Sequence, residues 1–140
     1  MKKQFSLIAL FVLIALLFAS CGESLPTDPT TLSTKMQNKG YGIYTERDER
    51  IFEYVEEYGA AEDDVTGIIH ADKQSKNEGI QIYMGTFIFC KDKDTATKLI
   101  TTIKADFAPE YENTHIDFTT KQKGSIIFFG TSAVWKDANN

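Results

Sequence analysis

Histidine, cysteine and tryptophan are scarce in this chain, at two, two and one among 140 residues. Any imidazole-based chemistry is therefore confined to His70 and His115. A Gly-x-Ser-x-Gly nucleophile elbow is missing, and so is the alternating oxygen-ligand loop of a calcium site. The acidic stretches Glu62-Asp63-Asp64 and Glu46 to Arg50 read as solvated loops. Positive charge is also short, with 15 Lys and Arg against 20 Asp and Glu and a net charge of −5. That balance argues against a nucleic-acid surface or a polybasic membrane patch.

What the chain does have is a marked beginning. Lys2 and Lys3 precede an almost unbroken apolar run from Phe5 to Phe18, and small residues then lead to Cys21. This is the pattern of a secretory signal peptide. As a helix, Leu7 to Phe18 would be only about 18 Å long, too short for a stable membrane span. The terminal Phe18-Ala19-Ser20-Cys21 resembles the lipobox of bacterial lipoproteins, with Phe18 where an aliphatic residue is usual. The resemblance implies cleavage before Cys21, lipidation of its thiol, and anchorage on the outer face of the cell membrane (the outer membrane in a Gram-negative cell). Gly22 stands where an aspartate would imply inner-membrane retention.

On that reading residues 1–20 are the leader, 21–31 a lipidated tether carrying Pro26 and Pro29, and 32–140 one domain. Loss of Lys2 and Lys3 takes the basic count from 15 to 13 and the net charge from −5 to −7. Lipid on Cys21 leaves Cys90 without an intramolecular partner, so the domain must rest on its packed core. Phe87-Ile88-Phe89-Cys90 is an apolar setting, in which the thiol is a small buried hydrophobe with a raised pKa.

Periodicity orders the body. A short helix from Leu32 to Lys39 stops at Gly40, and Tyr41 to Thr45 has strand composition. Asp48 starts a helix that places Ile51, Val55 and Tyr58 on one face. Val65–Ala71 and Ile80–Cys90 read as strands around a polar turn. A helix from Asp92 or Asp94 carries Ala96, Leu99, Ile100, Ile103 and Phe107, with Pro109 as its stop. His115–Thr120 and Ser125–Phe129 form a hairpin, and Thr131 caps a final short helix. Consecutive strands joined by short turns predict an α+β two-layer sandwich: an antiparallel sheet of about five strands with helices on one face.

Lys39-Gly40-Tyr41-Gly42-Ile43 and Lys123-Gly124-Ser125-Ile126-Ile127-Phe128-Phe129-Gly130-Thr131 are similar to segments of small uncharacterised lipoproteins of low-GC Gram-positive bacteria. That resemblance covers residues 32 to 138 and implies no activity.

Two residue sets stand out as sites. On the long strand Tyr83, Phe87 and Phe89 lie opposite Ile82, Met84 and Ile88, so this strand is apolar on both sides. Either helices cover part of both faces, or these aromatics form a contact surface for a second copy or an envelope protein. The other set is His70 with Asp72 and His115 with Asp117, each pair spaced to share a strand face. Were their strands neighbours, the four side chains could hold a metal; otherwise they are solvent-facing positions. The sequence thus predicts a lipid-anchored, extracytoplasmic module that binds a protein and catalyses nothing, with no cofactor. A small-ligand or metal-binding lipoprotein is the alternative.

Overall fold

A computed structural model describes residues 24–74, 82–112 and 114–140. Helix α1 (Pro29–Asn38) is opened by Asp28, whose carboxylate accepts the Thr31 amide at 2.8 Å while Pro29 takes the first turn, where no amide is needed. Gly40, at φ +84°, turns the chain out of α1 into strand β1 (Gly42–Thr45). Helix α2 (Asp48–Val55) tightens into a 3₁₀ turn at Glu56–Tyr58 and ends at Gly59. Strands β2 (Val65–Lys73) and β3 (Tyr83–Cys90) follow, then helix α3 (Lys93–Tyr111), whose Thr95 amide is capped by Asp92 at 2.7 Å. Strands β4 (Phe118–Lys123) and β5 (Ile126–Thr131) lead into helix α4 (Ser132–Asn139). None of the described helices is long and apolar enough to cross a membrane.

The five strands form one antiparallel sheet in the order β1-β2-β3-β5-β4, as an α+β fold requires. Helices lie against both faces of it, not the single face the strand-and-turn pattern suggested. One face carries Ile68, Ile88, Cys90, Ile127 and Phe129 under α2 and α3. The other carries Ile69, Phe87, Phe89, Ile126 and Phe128 under α1 and α4. The reason is the sequence of the inner strands: β3 and β5 alternate apolar with apolar, so each face needs its own cover.

Several element ends differ from the periodic reading. Strand β4 starts at Phe118, not His115, and runs past Thr120 to Lys123, which leaves His115 and Asp117 off the strand. Helix α1 starts at Pro29, inside the expected tether, and Leu25 is already buried against the core. Helix α3 passes Pro109 and ends at Tyr111. So near the C-terminus, the proline removes one amide bond and disturbs little of the ladder.

Gly85 and Gly130 face each other across β3 and β5 because the Phe128 ring lies over both. A β-carbon on Gly85 would run into that ring, and one on Gly130 would meet the Gly85 backbone as well.

Candidate functional site

Cross-strand register sets Tyr44, His70, Thr86 and Phe129 in one row along the face covered by α2 and α3. Below this row Ile68, Ile88 and Ile127 are fully buried; above it Asp72 pairs with Met84 at the surface. His70 is therefore at the boundary between core and water, and its ring nitrogens are both engaged. Nδ1 lies 2.9 Å from Thr86 Oγ1 and Nε2 lies 3.1 Å from Glu46 Oε1. A carboxylate only accepts, so Nε2 carries the proton shared with Glu46, and in the neutral ring Nδ1 accepts from the Thr86 hydroxyl. Tyr44 stacks on the imidazole at 5.8 Å and Tyr54 meets it edge-on at 5.4 Å. Burial raises the Tyr54 pKa, a hydrogen bond with Thr86 opposes that rise, and the Glu46 and Glu57 charges add to it.

Hydroxyl, imidazole and carboxylate stand here in the order used by nucleophilic triads. The hydroxyl end is closed, however: Thr86 is 7 % exposed and bonded to His70, with Tyr54 beside it. This arrangement locks three strands and α2 together at the rim of the core. Beside it a cleft of about 300 Å³ is lined by Glu46, Arg50, Glu53, Tyr54 and Glu57. A larger hollow of about 620 Å³ lies along the outer side of α1, lined by Thr30, Thr34 and Lys35, away from this cluster.

The sequence-based sites are placed differently from expectation. Phe87 and Phe89 are 0 % and 2 % exposed, packed under α1 and α4, so neither can meet a partner. Tyr83 is half-buried at the margin of the same core, with Lys73 Nζ 5.9 Å above its ring. The four-residue metal site does not assemble either. His70 and Asp72 are on β2, while His115 and Asp117 precede β4, with β3 and β5 in between. Among the described residues no three His, Cys, Asp or Glu side chains converge to hold an ion. Cys21 lies outside the described residues.

The partner of His70 was not legible, because Glu46 looks like one of several charges in a polar stretch. Thr86 gave no signal on its own; only the β2–β3 register brings it opposite His70. The exposed apolar surface is also on the other side of the sheet from the one expected. Tyr44, Ile82 and Met84 are 51 %, 38 % and 45 % exposed, and Tyr44 and Met84 stand in the rows at and above His70. A groove of about 230 Å³, lined by Ile82, His115, Ile116, Asp117, Thr131 and Ser132, continues this surface toward β4. Compared with protein-family models, with curated proteins and with solved structures, the chain matches none of them.

Proposed function

We propose that this chain is a lipid-anchored envelope protein whose domain binds a protein partner and performs no catalysis. The lipobox-like Phe18 to Cys21 supports the anchor. The observation that carries the binding reading is the exposure of Tyr44, Ile82 and Met84 at the end of a sheet face that α2 and α3 leave open. Apolar side chains grouped on an otherwise solvated surface mark interfaces. Asp72 stands exposed on β2, between the strands of Tyr44 and Met84, Asp117 is exposed in the groove beside Ile82, and Glu46 lies beside Tyr44. Its occupant is accordingly an apolar protein segment flanked by Lys or Arg. The His70 cluster holds Tyr44 in place for that contact.

In the source cell, chemical crosslinking of the full chain should give a discrete adduct, of a mass other than that of a dimer of this chain, that Met84→Glu with Tyr44→Ser removes. Retention of the adduct in that variant would place the contact elsewhere. Labelled palmitate should enter the wild-type chain and not Cys21→Ser; equal labelling of both would move the lipid away from Cys21, and an unlabelled wild-type chain would remove the anchor.

A further inference from the structure

The sheet has two edges, and they are built differently. Strand β4 presents Lys121 and Lys123, both exposed, and lysine on an edge discourages pairing with another chain. Strand β1 is Gly42-Ile43-Tyr44-Thr45, with no charge, no proline and no bulge. Its hydrogen-bonding direction follows from one contact. The Glu46 amide donates to the Ile68 carbonyl at 3.0 Å, which makes Glu46–Ile68 a bonded pair of the antiparallel ladder. Bonded pairs alternate, so Tyr44–His70 and Gly42–Asp72 are bonded too, while Ile43 and Thr45 turn their N–H and C=O away from β2. Among the described residues nothing accepts or donates to them.

We infer that β1 pairs with β1 of a second copy of this chain, antiparallel about a two-fold axis through Tyr44, joining two five-stranded sheets into one. Three features select a copy over an unrelated strand. The edge is only four residues long, closed by the Gly40 turn at one end and the start of α2 at Asp48 at the other. Its own image has the same length and the same two boundaries. In the two-fold register Ile43 of each copy meets Thr45 of the other as a bonded pair, and the two Tyr44 residues face each other as a non-bonded pair, about 4.5 Å apart at Cα. That gives a ring exposed over half its surface an aromatic neighbour. The charges also fit. Lys39 and Lys73 outweigh Asp72 at the Gly42 end, while Glu46 and Asp48 outweigh Arg47 at the Thr45 end. Antiparallel pairing sets the positive end of each copy against the negative end of the other. The dimer would make the two Tyr44–Met84 surfaces continuous, but it does not depend on the partner proposed for them.

Disulfide trapping in cells that make the full chain tests this pairing. Tyr44→Cys should give a disulfide-linked dimer on mild oxidation, because facing non-bonded residues bring their β-carbons within crosslinking reach. Lys121→Cys on the guarded edge, and the wild-type chain, should not. Adding Thr45→Pro, which removes an outward N–H and spares the ladder to β2, should return Tyr44→Cys to the level of the Lys121→Cys control. Thr45→Lys, which keeps every amide, should do the same and guards against misfolding of the proline variant. Met84→Glu should leave the crosslink intact, separating this interface from the proposed partner surface. A monomeric Tyr44→Cys, or trapping no stronger than at Lys121→Cys, would overturn the inference.

Discussion

Thr86 Oγ1 and His70 Nδ1 are 2.9 Å apart across the β2–β3 ladder, at the level where the buried sheet face meets solvent. The bond ties a nearly buried hydroxyl to a ring whose other nitrogen is held by Glu46. Thr86→Val keeps the shape and deletes the hydroxyl, leaving His70 and Tyr54 each short of a partner. It should cost about 1 to 3 kcal/mol of unfolding free energy, measured by urea titration. A change within about 0.5 kcal/mol would mean that water replaces the hydroxyl without loss.

Gly85 is a packing requirement of Phe128. Gly85→Ala should destabilise the fold by about 1 to 3 kcal/mol, and Phe128→Leu in the same chain should return part of that loss. Additive losses in the double variant would show that ring and glycine are not coupled.

Cys90 should be inert in the folded protein. Burial, helped by the Asp64 and Asp92 charges, pushes its thiol up to about 12 from 9.0. The folded state therefore favours the neutral thiol, and the stability it contributes is complete below pH 9 and is lost as pH rises from 9 toward 12. Alkylation at neutral pH should follow the rate of unfolding, and Cys90→Ala should flatten the alkaline decline in urea midpoint. Fast alkylation of folded protein would contradict the burial.

Acid should weaken the fold through three carboxylates. Asp28 is lowered mainly by its bond with Thr31, Asp64 by Lys91, and Asp92 by the Thr95 amide. Each folded pKa lies below 3.8, so the stabilisation is present above that pH and is lost as pH falls through the lowered values. Asp92→Asn keeps a capping acceptor and should make the acid limb shallower. An unchanged limb would assign acid sensitivity to other groups.

How much of this could be read from residues alone differs from element to element. Helix α3 was plain because Ala96, Leu99, Ile100 and Ile103 keep one face, and that face is buried. The β4–β5 hairpin was plain in outline because Gly124 supplies the positive φ its turn needs, but β4 itself lies three residues beyond the expected His115–Thr120, since pairing continues through Lys121 to Lys123. The second layer of helices was half visible in Phe87 and Phe89, which made β3 apolar on both sides without showing what covers it. Strand order was not visible, and with it went the fate of His70 and His115. Two His-x-Asp pairs look alike in sequence, yet one is tied to Glu46 and Thr86 and the other is solvent-facing beside β4. Local pattern sets which side of a strand a residue faces; only the assembled sheet decides which strands are neighbours.

The binding account depends on the sheet being closed at Phe87 and open at Met84. The measurement that tests this directly is the urea-unfolding free energy of Phe87→Ser and Met84→Glu in the same background. The structure requires Phe87→Ser to lose about 3 to 5 kcal/mol, as a deletion in a packed core does. Met84→Glu should lose no more than about 1 kcal/mol, as a surface change that sets a second carboxylate opposite Asp72 does. A stable Phe87→Ser with a crippled Met84→Glu would exchange the two faces and remove the proposed surface.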